Sequence, residues 1–164
     1  MLPRNSKGNQ IMNRRHLLMA SAAAALLPAR LLRAQDFEIT RTEAEWRALL
    51  SETEYAVMRE ESTERAGSSP LDQLYDAGTY HCRGCDLPLY PSETKFDSGT
   101  GWPSFYDSLP GAIGTKEDNT FFTTRTECHC VRCGSHLGHI FDDGPAPTGL
   151  RHCLNGVSLV FRAA

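Results

Sequence analysis

The sequence predicts an α+β domain, mainly β, on three observations. Two helix-capping signals stand between residues 42 and 54, short β-prone runs broken by glycine and proline fill the chain from Tyr80 onward, and an alternating apolar pattern closes it. The length of 164 residues suits one domain, given about 100–200 residues for each. A hydrophobic content of 40 % and a charged content of 23 % are ordinary for a chain that buries a core.

The helices come first. Thr42 with Glu45, and Ser51 with Glu54, each spell the S/T-x-x-E capping box, so two short helices are expected to begin there. Trp46, Leu49 and Leu50 fall on one face of the first, Tyr55 and Met58 on one face of the second. Ser69-Pro70 reads as an N-cap with proline at the first helical position, and Gly78 is expected to end that turn. Further on, the run Thr120 to Thr126 is β-prone, and Val157, Leu159 and Phe161 alternate with Ser158, Val160 and Arg162 as in a half-buried final strand. Asn155-Gly156 would ordinarily announce a hairpin turn, but it can equally sit at the start of that strand.

Charge separates the first 34 residues from the rest. No Asp or Glu precedes Asp36, and Arg4, Lys7, Arg14, Arg15, Arg30 and Arg33 are all basic; the remainder holds eleven Lys and Arg against twenty Asp and Glu, a net charge of −9. A body that acidic repels phosphate backbones, which argues against nucleic-acid binding. Leu17 to Leu27 is an apolar run after Arg14-Arg15. Spanning a bilayer takes about 20 apolar residues, so this run is too short for a stable membrane anchor. Basic start, short apolar centre and Ala34 fit a secretory signal over residues 1–34, cleaved after Ala34, with the mature domain at 35–164. Asn13-Arg14-Arg15-His16-Leu17-Leu18 resembles the twin-arginine type, departing from it at Asn13 and His16, so the expectation is export, to a bacterial periplasm; Met12 can equally be the initiator.

Six cysteines carry most of the chemistry. Cys82-Arg-Gly-Cys85 and Cys130-Val-Arg-Cys133 are two C-x-x-C knuckles, with Asp86 and Gly134 directly after them. Four thiolates at about 2.3 Å satisfy tetrahedral zinc, and each pair can grip from one tight turn, so the reading is a structural zinc site with four cysteine ligands; two disulfides or a redox pair compete with it. The 44 residues between the pairs mean that a metal would clamp distant segments together.

Cys153 lies outside both pairs, in Arg151-His152-Cys153-Leu154-Asn155. An ordinary thiol has a pKa of about 8.5, and cationic neighbours lower it and make the sulfur nucleophilic; the alternative is an inert core cysteine. The loop Lys95 to Phe105 places Phe96, Trp102 and Phe105 among glycines, either walling a small apolar pocket or capping the core. His136-Leu-Gly-His139 can bind metal, donate protons or be ordinary packed side chains; a catalytic zinc has the least support, for want of a carboxylate ligand nearby.

Taken together, Ser98-Gly-Thr-Gly-Trp102-Pro-Ser-Phe105, His136-Leu-Gly-His139, Asp143-Gly-Pro145, Arg151-His-Cys153-Leu-Asn155 and the paired knuckles look like a B-type methionine sulfoxide reductase, from about Thr42 to Phe161. Such enzymes reduce the R-epimer of methionine sulfoxide in oxidised proteins. The resemblance implies two small antiparallel sheets with N-terminal helices, and zinc on Cys82, Cys85, Cys130 and Cys133. It implies Cys153 as nucleophile, His136 and His139 as proton donors to the sulfoxide oxygen, and Asn155 as the group orienting them. Arg151 would stabilise the thiolate and Trp102 would receive the methionine methyl group. Thr100 stands where some members carry a resolving cysteine. The resulting sulfenic acid would therefore be reduced by an outside, thioredoxin-like thiol. Cys128 is the one spare thiol, expected in the core, and Gly156 replaces a small polar residue with little expected consequence. A non-catalytic zinc-ribbon module that binds a protein partner is the rival; it leaves Cys153, the histidine pair and the Trp102 loop without purpose.

Overall fold

The computed structural model describes residues 37–120 and 123–164. The segment read as an export signal lies outside the described residues.

Both capping boxes form. Helix α1 (Glu43–Leu49) starts at Thr42, whose backbone N–H donates to Glu45 Oε2 at 2.8 Å while its hydroxyl accepts from Glu45 N–H at 3.3 Å. Helix α2 (Glu52–Glu60) repeats the arrangement with Ser51 and Glu54 at the same two distances. Each satisfies two amides that a helix start leaves open. Trp46, Leu50, Tyr55 and Met58 reach the core as expected, but Leu49 is 51 % exposed. Helix α1 ends at Leu49, and Leu50 enters the core from an extended backbone, so the apolar face does not run through both leucines. Ser69 caps a 3-10 turn at Pro70–Gln73, accepting from Leu71 N–H at 3.2 Å. That turn closes at Leu74, four residues before Gly78, which instead opens the first strand.

All strand pairing is antiparallel. A three-stranded sheet, in order β2-β1-β9, joins β1 (Gly78–Cys82), β2 (Pro88–Pro91) and β9 (Leu159–Ala163). A six-stranded sheet, in order β3-β4-β8-β7-β6-β5, is built from β3 (Lys95–Phe96), β4 (Ser104–Phe105), β5 (Ile113–Asp118), β6 (Arg125–Cys130), β7 (His136–Phe141) and β8 (Arg151–Leu154). The mainly β class with two antiparallel sheets and short N-terminal helices is what the sequence led us to expect.

Two strand boundaries differ from expectation. Strand β6 starts only at Arg125 because Asp118 accepts from the Thr120 N–H at 2.9 Å and from its hydroxyl, turning the chain at the end of β5. Asn155-Gly156 makes no hairpin. It leads into a 3-10 turn at Gly156–Ser158, so Val157 lies in the turn and the final strand begins at Leu159.

The sheets meet through aromatic rings. Tyr80 of β1 stands 4.9 Å edge-to-face from Phe105 of β4, and Tyr90 of β2 stands 4.7 Å from the same ring. Leu89, Leu137, Leu154, Leu159 and Met58 complete the core around them. Strand β8 is interior to its sheet, flanked by β4 and β7. That position gives its side chains neighbours on both sides.

Candidate active site

Strand β8 exposes every second residue, with Arg151 and Cys153 half-buried on one face and His152 and Leu154 buried on the other. Alternation is the ordinary geometry of a strand. His152 is therefore not a cationic neighbour of Cys153. Its Nδ1 shares a 3.1 Å hydrogen bond with the Tyr90 hydroxyl in the core, and burial lowers its pKa.

Cys153 pairs with His139 of β7 on one side and with Ser104 of β4 on the other. The close approach of β7 depends on Gly138, where a Cβ would stand 2.0 Å from the Cys153 carbonyl oxygen. Cys153, His139, Trp102, Asn155, Phe141 and Thr63 line one cavity of ≈ 170 Å³. The structure thus brings together four of the residues singled out in the sequence. Arg151 and His136 stand behind them.

The Cys153 thiol is pushed up, not down. Burial is the largest influence; the Arg151 guanidinium and a bond from the Thr100 hydroxyl pull the other way without offsetting it. Arg151 is divided between tasks, donating from Nε and Nη2 to the two Asp143 oxygens at 2.8 Å each and lying 4.4 Å over the Phe141 ring. A shared cation returns less than burial removes. Thr100 is aimed by a chain of hydroxyls, 2.8 Å from Ser98 Oγ, which is in turn 2.8 Å from Ser104 Oγ.

Both histidines have carboxylate partners, contrary to the sequence expectation. His139 Nε2 lies 2.8 Å from Asp118, and His136 Nδ1 lies 2.7 Å from Glu127, whose other oxygen is 2.9 Å from His129 Nδ1. Burial pushes the Glu127 carboxyl up, but its bonds to His129 and His136 outweigh that and hold it at about 2. Asp118 falls below the usual carboxylate range, chiefly through Thr120 and then His139. For His139, burial lowers the pKa against the pull of Asp118. The two rings sit edge-to-face 5.4 Å apart. Asp118 and Glu127 carry no local motif; only the registers of β5, β6 and β7 bring them to the histidines.

Asn155 spends its amide on backbone, accepting from Glu64 N–H at 3.0 Å and donating to the Leu137 carbonyl at 3.2 Å. Trp102 donates its indole N–H to the Glu64 carbonyl at 3.1 Å. Glu64 was not singled out in the sequence.

The four knuckle cysteines converge at the ends of β1 and β6, their sulfurs all within 4.8 Å of one another. Cys82 and Cys133 are 3.7 Å apart, Cys85 and Cys130 3.5 Å. Tetrahedral ligation at about 2.3 Å places sulfurs about 3.8 Å apart, so the set fits one zinc ion. None of the four is in a disulfide. Asp86 and Gly134, with φ of 59° and 67°, take the left-handed turn after each knuckle and donate N–H to the Cys82 and Cys130 carbonyls at 2.8 and 2.9 Å.

Cys128 is 0 % exposed on β6, opposite Gly138, and burial holds its thiol protonated far above the usual range. Cys128→Ser is expected to cost about 1–2 kcal/mol of stability for the buried hydroxyl, read as a lower melting temperature.

Residues 50–163 match the family model described as the SelR domain. The chain is similar to proteins called peptide methionine sulfoxide reductase MsrB in several organisms. It is 51 % identical to that of Thiobacillus denitrificans over 122 residues, covering 74 % of this chain and 92 % of the relative. It is 49 % identical to that of Methanosarcina barkeri over 125 residues, 76 % and 88 %. For Agrobacterium fabrum the identity is 46 % over 125 residues, 76 % and 93 %. With a family match over most of its length and relatives about half identical along nearly their full length, the chain belongs to the SelR family, the B-type methionine sulfoxide reductases.

Proposed function

We propose that this chain reduces the R-epimer of peptide-bound methionine sulfoxide to methionine, repairing oxidised proteins. The convergence of a lone half-buried thiol, an imidazole and an indole on one small cavity carries the reading. The Cys153 thiolate attacks the sulfoxide sulfur while His139, held by Asp118, supplies a proton to the oxygen. His136, held by Glu127, backs the same imidazole. Trp102 offers its ring to the methionine methyl group, and Arg151 with Thr100 steadies the charge on the attacking sulfur. The substrate sulfur gains two electrons and its oxygen ends on Cys153 as a sulfenic acid. Two thiols of a thioredoxin-like donor then supply two electrons, regain Cys153 as a thiol and release that oxygen as water. Thr100 at the alternative resolving position and the fully buried Cys128 support direct attack by the donor.

Zinc on Cys82, Cys85, Cys130 and Cys133 would hold β1 and β6 together; a four-thiolate shell is closed to substrate and its contribution is structural. Residues 1–34 fit twin-arginine export to a periplasm, which delivers a chain already folded around its metal; N-terminal sequencing of the mature protein is expected to begin near Gln35, and an intact N-terminus in the cytoplasm would reject it.

The deciding assay for the reaction is reduction of separated R- and S-methionine sulfoxide by the enzyme with dithiothreitol. Turnover of the R-epimer is expected, with the S-epimer at least about 100-fold slower, because the sulfoxide oxygen must face the imidazole while the methyl faces the indole. Turnover of neither epimer would return the chain to the binding-module reading.

A further inference from the structure

Glu64 lies between α2 and the Pro70 turn, outside every motif above, yet it is only 6 % exposed. Its polar groups go to three different parts of the site. The backbone N–H donates to Asn155 Oδ1, and the carbonyl accepts the Trp102 indole N–H. The carboxylate accepts the N–H of Gly156, and that of Val157 at 3.2 Å, at the open start of the 3-10 turn that follows the Cys153 strand. Burial pushes this carboxyl up and the two amide bonds restrain it. An ionised group removed from water is tolerated where such donors replace the lost hydration.

Neighbouring contacts point the same way. Gly67 N–H donates to the Gly101 carbonyl at 2.7 Å, so the Trp102 loop hangs on residues 64–67 by two bonds. A Cβ on Gly156 would stand 2.0 Å from Ser69 Oγ. The glycine that looked inconsequential in the sequence therefore makes room for Ser69 and leaves its own N–H for Glu64.

We propose that Glu64 is a positioning residue: its carboxylate bolts residues 61–67 to the chain just past Cys153, and its main chain then sets the Trp102 ring and the Asn155 amide around the cavity. The inference rests on the proposed reading of that cavity as the methionine sulfoxide site. The Cys153 sulfur has its own partners: Arg151, held by Asp143, and Thr100, aimed by the Ser98–Ser104 hydroxyl chain, neither bonded to Glu64. Loss of the bolt therefore acts on substrate placement and leaves the nucleophile alone.

E64Q keeps the shape but replaces one acceptor oxygen with a donor facing a backbone N–H. In the full-length enzyme, kcat/KM for N-acetyl-methionine-R-sulfoxide is expected to fall at least about tenfold, mostly through KM, as for a misplaced binding surface. Alkylation of Cys153 by iodoacetamide should stay within about twofold, since its partners are untouched. The Trp102 indole N–H, assigned by its loss in W102F, should exchange with solvent at least about tenfold faster. In the W102F background E64Q should cost less than about threefold more, because the share of its effect that runs through the Trp102 contact is already gone and only the Asn155 share remains. E64D, charged but one methylene short, carries the same expectations if E64Q does not fold.

Unchanged kcat/KM and indole exchange in E64Q would overturn the inference, as would additive losses in the double variant or a matching fall in Cys153 alkylation. A parent enzyme inactive on both epimers, with Trp102 exchange still accelerated in E64Q, would defeat the proposed reaction and leave the positioning role standing.

Discussion

Cys153→Ala is expected to abolish reduction of the R-sulfoxide, lowering kcat/KM by at least about 10⁴-fold, because a covalent nucleophile has no substitute once removed. Cys153 is the sole thiol lining the cavity among the described residues, and Cys128 is sealed in the core. Stability should change little: deleting one small half-buried sulfur costs about 1 kcal/mol or less. The comparison is therefore between a folded parent and a folded variant, and the readout is methionine formed from R-sulfoxide with dithiothreitol. Activity left intact would remove the basis of the proposed mechanism.

The pH dependence of the same sulfur sharpens this test. Its pKa is raised, with burial ahead of the opposing Arg151 and Thr100 contributions, so the thiolate is scarce at neutral pH and grows as pH rises. Iodoacetamide alkylation of the free enzyme should accordingly keep increasing beyond the pH at which an ordinary cysteine levels off, near 9 or just above. A profile that levels off below about 8 would show instead that the cationic neighbourhood dominates. Enzymes with a raised thiol can still react quickly, since a more basic thiolate is intrinsically more nucleophilic.

With zinc on the four knuckle cysteines, as proposed, Cys85→Ser is expected to release the ion and loosen the whole fold. Cys82 and Cys85 belong to the three-stranded sheet and its first turn, Cys130 and Cys133 to the end of β6 in the six-stranded sheet. One ion on all four would join the two sheets at a point separated by 44 residues of chain. Structural zinc contributes about 10–16 kcal/mol of apparent binding free energy in small peptides, and losing one of four ligands forfeits several kcal/mol of that. Against a total stability of about 5–15 kcal/mol that is a large fraction. The melting temperature should fall by about 10 °C or more. Metal analysis should drop from one zinc equivalent to below about 0.1. A variant that keeps a full equivalent would refute the assignment of all four cysteines as ligands. A parent that holds no zinc as purified, and whose melting temperature ignores chelators, would refute it from the other side.

Features closed within a few residues were legible before folding. The capping boxes at Thr42 and Ser51 are bonds between residues three apart, and the knuckle turns at Asp86 and Gly134 are set by which residues accept positive φ. The placing of His152 was also within reach. Period-two alternation along Arg151 to Leu154 puts it opposite Cys153, and the expectation of two flanking cations overlooked that.

What the chain alone determined is its class, its two helix starts, the four sulfurs of the knuckles and the short set of residues around Cys153. Tertiary structure decided the rest: that Asp118 and Glu127 hold the histidines, that Glu64 ties Trp102 to Asn155, and that the Cys153 thiol is raised. Those partners lie on other strands or up to 91 residues away, so no local pattern encodes them. The thiol's pKa is set by desolvation, which is a property of everything packed around the sulfur and of no neighbour in sequence.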